Sequence, residues 1–97
     1  MAEGTEVVHD EAGSRYVLKR GDEELGEAVY EAGPHGEIVF THTEIDPDKQ
    51  EKGMGSRLIK AALDDVAAHS TARVVAKCPF VFRYISEHDE YKPLTQR

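Results

Sequence analysis

Residues 50–56, Gln-Glu-Lys-Gly-Met-Gly-Ser, have the composition of an anion-binding turn. Gly53 and Gly55 allow close approach to the backbone and permit positive φ without a Cβ penalty. An amphipathic segment follows, and a helix start directs backbone N–H groups and the positive end of the helix dipole at one point, which suits a phosphate. Basic side chains that could add charge lie nearby at Lys49, Lys52, Arg57 and Lys60.

The turn completes neither of the common nucleotide motifs. The dinucleotide fingerprint needs a third glycine where this chain has Arg57 and Leu58. A P-loop needs a Gly-Lys-Ser or Gly-Lys-Thr sequence four residues after its first glycine, and none follows here. The residues therefore predict a phosphate site without naming the ligand.

Cys78 is the single cysteine of the chain, and it stands directly before Pro79. Proline favours the first position of a helix, so Cys78 is the predicted N-cap of a second helix. A thiol at a helix N-terminus can have a lowered pKa, and the thiolate is the reactive form. Free cysteine is also a common small, buried apolar residue, so both a chemical and a packing role stay open.

Alternating apolar residues predict three strands, at residues 14–20, 25–32 and 37–45. The short links between them, including Gly-Pro-His-Gly at 33–36, predict an antiparallel meander. Residues 1–13 are polar and are expected to be flexible, with at most a short strand around Val7 and Val8. Residues 14–94 are expected to form one domain.

The rest of the chain predicts a helix, a strand and a second helix. Apolar residues at i, i+3 and i+4 spacing predict a helix over residues 56–69. The β-branched run at 72–77 follows this crossover, so it should pair parallel to the third strand. The predicted fold class is α/β (α+β), with a three-strand meander, a fourth parallel strand after a crossover helix, and a C-terminal helix.

Composition narrows the function classes. The net charge is −7, with 13 acidic and 3 basic side chains in residues 1–48 and 6 acidic and 9 basic in residues 49–97. This excludes a broad basic surface for nucleic acid, and the apolar runs are shorter than the ~20 residues of a membrane span. One cysteine suggests the cytoplasm, and the histidines lack metal-ligand spacing, which predicts no metal site.

The turn resembles a family signature. Gln50-x-x-Gly53-x-Gly55 resembles the Gln/Arg-x-x-Gly-x-Gly/Ala motif of GNAT-type N-acetyltransferases, and it stands between an antiparallel strand and the central helix, as in that fold. His-Thr-Glu-Ile at 42–45, Cys-Pro-Phe-Val at 78–81 and His-Asp-Glu-Tyr at 88–91 are similar to segments of small, single-domain GNAT-like acetyltransferases. The resemblance spans about residues 14–94 and implies a minimal GNAT-like fold.

The resemblance implies acetyl-CoA as the cosubstrate and no metal. Its pyrophosphate would lie on the amides of residues 51–56, and its pantetheine arm would run between the third and fourth strands. The residues implied in binding are Glu44, Ile45, Gln50, Glu51, Lys52, Gly53, Met54, Gly55, Ser56 and Cys78.

The resemblance also implies catalytic roles. An amine must lose a proton before it attacks a thioester, and Glu44 or His42 is the implied base. Tyr84 is the implied acid for the CoA thiolate, and Cys78 would lie near the thioester. In the alternative, His42 is a hydrogen-bonded strand residue, Glu44 a surface carboxylate and Tyr84 a core residue.

Strand alternation places His42 and Glu44 on the same face as Ile38 and Phe40, unless a β-bulge shifts the pattern. The helix that carries Tyr84 is expected to pack Phe80 and Tyr84 on one stripe.

Full GNAT domains have further elements before the meander and after the last helix, and this chain resembles only the central part. We therefore expect an open acceptor site that suits an exposed amine, such as a protein lysine, an N-terminus or a polyamine, in a monomer or weak homodimer. Two alternatives remain: a CoA- or acyl-CoA-binding module with little turnover, and ping-pong transfer through acetyl-Cys78.

Overall fold

A five-stranded sheet with helices packed on one face makes up the structure, a computed structural model that describes residues 4–97. In spatial order the strands are β1 (Glu6–Asp10), β2 (Arg15–Arg20), β3 (Glu23–Ala32), β4 (Ile38–Ile45) and β5 (Val74–Ala76). The helices are α1 (Met54–His69), α2 (Pro79–Glu87) and a C-terminal 3-10 helix (Asp89–Gln96). Neighbouring strands from β1 to β4 are antiparallel, whereas β5 is parallel to β4. The predicted fold class is confirmed.

The meander has one strand more than the sequence predicts. Val7 and Val8 belong to β1, which pairs with β2 from Glu6 to Asp10. The His9 ring stacks on Tyr16 with ring centroids 4.2 Å apart, and its Nε2 lies 2.6 Å from the Tyr30 hydroxyl. These contacts come from β2 and β3, so no local pattern could reveal them. Of the stretch expected to be flexible, residues 1–3 lie outside the described residues.

Helix α1 crosses the sheet and supplies much of the core. Its buried stripe follows the predicted spacing and consists of Met54, Leu58, Ile59, Ala62, Leu63 and Val66. These side chains join Leu18, Ala28 and Phe40 of the sheet in one apolar cluster. The helix begins two residues earlier than predicted, directly after Gly53, so the whole glycine turn is held against the core by Met54.

A β-bulge interrupts the alternation of β4. Val29 is paired with His42 but Tyr30 with Phe40, which leaves Thr41 as an extra residue in β4. Phe40 is fully buried, whereas His42 and Glu44 are exposed. The bulge that would shift the simple alternation is therefore present, and His42 and Glu44 do not share the face of Phe40, because the extra residue turns the strand over between Phe40 and His42.

Strand β5 leads directly into α2. Cys78 is the N-cap of α2 and Pro79 occupies its first turn, as predicted. The chain beyond α2 forms the 3-10 helix, in which Tyr91 and Leu94 are buried. The Tyr91 hydroxyl donates a 2.6 Å hydrogen bond to Asp64 of α1, which fastens the C-terminal segment to the crossover helix.

Glu37 anchors the hairpin that precedes β4. The residue is 8% exposed, and its carboxylate accepts hydrogen bonds from the His35 N–H at 2.8 Å and from Arg73 at 3.0 Å. The backbone N–H groups of Glu37 itself and of His35 lower the pKa of the Glu37 carboxyl below its usual value. Arg73 stands directly before β5, so this pair fixes the start of both parallel strands.

Glu37→Gln should lower the free energy of unfolding at neutral pH. It should also make that free energy depend less steeply on pH in the acid range. A carboxyl whose folded pKa is depressed stabilises the fold above its unfolded pKa, and the contribution is lost as pH falls through the folded pKa. Urea unfolding from about pH 3 to pH 7 measures the slope of the free energy of unfolding against pH. The exposed Glu31→Gln of β3 is the matched control; identical slopes for Glu37→Gln and the wild type would contradict the assignment.

Candidate functional site

A cleft of about 420 Å³ opens at the start of α1. Its lining consists of Ile45, Phe80 and the whole turn from Gln50 to Ser56. The predicted anion-binding turn is therefore one wall of a cleft, and the end of β4 and the first turn of α2 supply the others. This arrangement brings together most of the residues implied in cosubstrate binding.

The first turn of α1 lacks the groups that usually complete a helix start. Gly53 is the N-cap, with φ of +86°, and it offers no capping side chain. No described residue accepts a hydrogen bond from the N–H groups of Gly55 and Ser56, and the first turn has no acidic residue. A helix start with free N–H donors and no acidic residue in its first turn favours an external anion, and Glu51, the acidic residue in the cleft lining, is paired with Arg20.

Gly53 and Gly55 are needed for different reasons. Gly53 adopts the left-handed region, and a Cβ there would point into open space. Gly55 is not among the glycines with positive φ, so the sequence-based argument from φ applies to Gly53 alone. A Cβ on Gly55 would lie 2.7 Å from the Phe80 ring, so the absent side chain makes room for the ring.

Most of the basic side chains near the turn are already occupied. Arg57 donates to the Thr5 hydroxyl at 2.6 Å and to the Thr5 carbonyl at 2.7 Å. Lys60 pairs with Asp64 at 2.8 Å, and Lys49 pairs with Glu23 at 3.0 Å. Lys52 is exposed, lines the cleft and has no ion pair with a described residue. Of the side chains expected to add charge at the turn, Arg57 and Lys60 are engaged elsewhere, and Lys52 remains the candidate.

The two parallel strands, β4 and β5, separate next to the cleft. Their pairing ends at Phe40 and Ala76, and the Phe40 carbonyl then accepts the N–H groups of both Lys77 and Cys78, at 3.0 and 2.9 Å. From Thr41 to Ile45, β4 has no pairing with β5, so a fork opens between them. A substrate chain entering this fork would find backbone groups of β4 along one side.

Cys78 lies at the closed end of the fork. The thiol is 5% exposed, and its Sγ is 3.4 Å from the hydroxyl of Thr43 on β4. Thr43 was not singled out from the sequence, because only the bulge at Thr41 turns it towards Cys78. The thiol is thus both buried and close to the place where the two strands part.

His42 and Glu44 lie on the other face of β4, the face without helices among the described residues. Their side chains are exposed and lie 3.2 Å apart, from Nε2 to Oε2. Beside them is a second cleft of about 300 Å³ with acidic side chains from Glu24, Glu27, Glu44 and Asp46. Arg15 is its one basic lining residue, and it is paired with Glu24 and Glu27. The C-terminal end of β4 therefore separates a cleft with free N–H donors from an acidic one.

Tyr84 does not line either cleft. Its ring is 7% exposed and stacks on His88, with ring centroids 3.9 Å apart. Burial raises the pKa of Tyr84, and its hydroxyl has no hydrogen bond with a described residue. The hydroxyls of Tyr16 and Tyr91, by contrast, both donate to carboxylates of α1. A free, protonated hydroxyl is consistent with an acid, one helical turn beyond Phe80.

Phe80 belongs to the cleft, although the sequence assigned it to the buried stripe of α2. It is 42% exposed, one turn before the buried Tyr84. The signal that could have identified it is its place in the first turn of α2, directly after the N-cap cysteine and Pro79.

Two other findings concern the described residues only. Within residues 4–97, no three or more His, Cys, Asp and Glu side chains are grouped so that they could hold a metal ion. No helix in the same range has the length and apolar character needed to cross a membrane.

Comparison with known proteins bears on the family and on the fold. The model of the GCN5-related N-acetyltransferase family matches residues 15–94. The chain is also similar to the solution structure of a GCN5-like candidate N-acetyltransferase from Staphylococcus aureus, with a TM-score of 0.69 and 21% sequence identity. That likeness covers 95% of this chain and 88% of the other and supports the fold. No curated protein matches the chain.

Proposed function

This chain belongs to the GCN5-related N-acetyltransferase family, whose cosubstrate is acetyl-CoA, and we propose that it transfers the acetyl group to an exposed amine at the end of β4. The observation that carries this proposal is the start of α1, where free N–H groups face a cleft directly below the fork between β4 and β5. The acceptor is a protein lysine, a protein N-terminus or a polyamine.

The pyrophosphate of acetyl-CoA is assigned to the turn at residues 51–56. The N–H groups of Gly55 and Ser56 and the dipole of α1 favour an anion there. Lys52 adds a positive charge that no described carboxylate neutralises. The fit is supported by what the helix lacks, since a bound phosphate would supply the capping and the negative charge missing from its first turn.

The pantetheine arm is assigned to the fork, along the unpaired edge of β4. From the turn it reaches Ile45 first and Cys78 last, which brings the thioester close to Thr43. The N–H groups of Lys77 and Cys78 already donate to Phe40. A backbone donor that polarises the thioester carbonyl must therefore come from β4, between Thr41 and Ile45.

The amine is assigned to the acidic cleft on the helix-free face. Four carboxylates line that cleft, and an ammonium group is attracted to such a site. Glu44 is the assigned base, and His42, 3.2 Å away, can take the proton onward. The face has no helix among the described residues, which suits an amine on a large or extended molecule.

The reaction then balances as a direct transfer. Glu44 removes a proton from the ammonium and passes it to His42, and the neutral nitrogen attacks the thioester carbonyl. As the carbon–sulfur bond breaks, Glu44 takes the second proton from the nitrogen, which becomes the amide. The CoA thiolate takes a proton from Tyr84, which is the assigned donor because its hydroxyl has no hydrogen bond with a described residue, and solvent returns that proton to Tyr84. A water molecule must bridge to the sulfur, since Tyr84 does not line the cleft.

Two other functions remain alternatives. The place of Cys78 in the fork favours a ping-pong route, in which the thiol sulfur attacks the carbonyl, CoA leaves with the proton, and the amine then attacks acetyl-Cys78. A binding module with little turnover is favoured because Cys78 and Glu44 lie on opposite sides of β4.

Gly53→Ala should weaken acetyl-CoA binding at least about tenfold, because its Cβ would enter the open space of the cleft. Gly36→Ala is the matched control, since Gly36 also has a left-handed φ, +81°, with open space around it. Both variants should lose about 1 kcal/mol of stability, but only Gly53→Ala should lose affinity. NMR titration with acetyl-CoA measures the affinity of both variants. Chemical-shift changes of the wild type that are confined to residues outside 44–56 would contradict the site.

Glu44→Gln should lower kcat about 100-fold without changing the affinity for acetyl-CoA, because it removes the base and leaves the turn intact. The acceptors are a lysine-containing peptide and spermidine, and Glu31→Gln is the control for loss of one exposed carboxylate. Full activity of Glu44→Gln would exclude Glu44 as the base.

Cys78→Ala should retain turnover if the amine attacks the thioester directly. Ping-pong transfer instead requires complete loss of turnover and a mass increase of about 42 Da on Cys78 when the wild type is mixed with acetyl-CoA alone. Intact-protein mass spectrometry and an amine-acetylation assay decide between the routes. Clear acetyl-CoA binding with no turnover on any acceptor would favour the binding module.

A further inference from the structure

We infer that Phe80 is a binding residue for the pantetheine arm of the cosubstrate, which it guides from the glycine turn to Cys78. The inference rests on the proposed binding of acetyl-CoA in this cleft and goes beyond it by giving a role to a side chain that neither the anion-binding turn nor the acid–base argument uses. It depends on three features of Phe80: its exposure, its contact with Gly55, and its place in α2.

The exposure of Phe80 distinguishes it from an ordinary core phenylalanine. Phe40 is fully buried, whereas Phe80 is 42% exposed and Phe82 is 56% exposed. Phe80 lines the cleft at the start of α1, while Phe82 lines a groove at β5 on the other side of α2. The exposed part of the Phe80 ring is thus the large apolar surface that the cleft offers beside its polar turn.

The contact with Gly55 fixes the position of the ring. A Cβ on Gly55 would lie within 2.7 to 3.4 Å of three ring carbons, so the ring rests directly on the backbone of the first turn of α1. Gly55 is also one of the residues with a free N–H group. The apolar ring and the proposed pyrophosphate donors are therefore adjacent, and the absent side chain of Gly55 keeps them so.

The place of Phe80 in α2 gives the direction of the path. It stands two residues after the N-cap Cys78, so its backbone lies in the first turn of the helix that begins at the fork, while its ring rests on Gly55. A chain that carries a pyrophosphate at one end and a thioester at the other must pass this ring. The arm contains methylene and methyl groups as well as amides, and an aromatic face binds the apolar part.

The contribution of this contact can be estimated from area. Covering the exposed two-fifths of a phenylalanine side chain corresponds to about 10- to 30-fold in affinity. Phe80→Ala should therefore weaken acetyl-CoA and CoA binding by that factor. It should leave binding of 3′-phosphoadenosine 5′-diphosphate, which has the nucleotide and pyrophosphate of CoA but no pantetheine arm, within about twofold of the wild type.

Phe82→Ala is the matched control, because it removes a phenylalanine of similar exposure from the same helix but from a different groove. It should leave the affinity for all three ligands within about twofold of the wild type. Phe80→Leu keeps an apolar side chain and should lose less affinity than Phe80→Ala. Thermal unfolding of each variant measures whether the fold is retained.

A double-mutant cycle tests the contact with Gly55. Gly55→Ala should displace the ring and weaken acetyl-CoA binding by about the same factor as Phe80→Ala, and the double variant should be no weaker than Phe80→Ala alone. Isothermal titration calorimetry gives the dissociation constants. Such non-additivity, together with selective loss of the pantetheine-containing ligands, is the expected result.

Other outcomes would overturn the inference. Unchanged acetyl-CoA affinity in Phe80→Ala, or equal loss of affinity for acetyl-CoA and the nucleotide, would exclude a specific contact with the arm. Additive losses in the double variant would exclude the coupling to Gly55. If the wild type fails to bind acetyl-CoA, the proposed function fails and this inference fails with it. If the wild type binds acetyl-CoA and Phe80→Ala binds it equally well, only this inference fails.

Discussion

The carbonyl of Phe40 ends the pairing of the two parallel strands, and the cleft depends on that ending. It accepts the N–H groups of two successive residues, Lys77 and Cys78, so β5 cannot continue the ladder along β4. The chain turns at this point, Cys78 becomes a helix N-cap, and α2 begins. One carbonyl that accepts two hydrogen bonds therefore accounts for three features. These are the open fork, the buried thiol at its end and the aromatic ring beside the glycine turn.

The start of α1 lacks the groups that usually stabilise a helix N-terminus. Most helix starts gain from a capping side chain or an acidic residue in the first turn. This one has a left-handed glycine and no acid, although the chain carries 19 acidic residues. The helix is held instead by its buried stripe, with Met54 and Leu58 in the core. Packing thus stabilises the helix while its N-terminal donors stay free.

The bulge at Thr41 divides the chemistry of β4 between two faces. Thr43 points to Cys78 on the helix side, and His42 and Glu44 lie on the other face, where Glu44 lines the acidic cleft. Without the extra residue, His42 and Glu44 would follow Phe40 into the apolar core, where an unpaired carboxylate is strongly disfavoured. One inserted residue therefore places the acidic cleft and the cleft with free N–H donors on opposite sides of one strand end.

The sequence by itself determined the order of elements and the place of the turn. The apolar spacing of α1, the alternation of the strands, and Gly53 and Pro79 are local signals, because each reflects what a few neighbouring residues can do. The tertiary structure decided which groups meet. It paired β1 with β2, engaged Arg57 with Thr5, turned Glu44 outward and set Phe80 on Gly55. Those contacts join residues far apart in the chain, and their energies depend on packing and register, which no local pattern encodes.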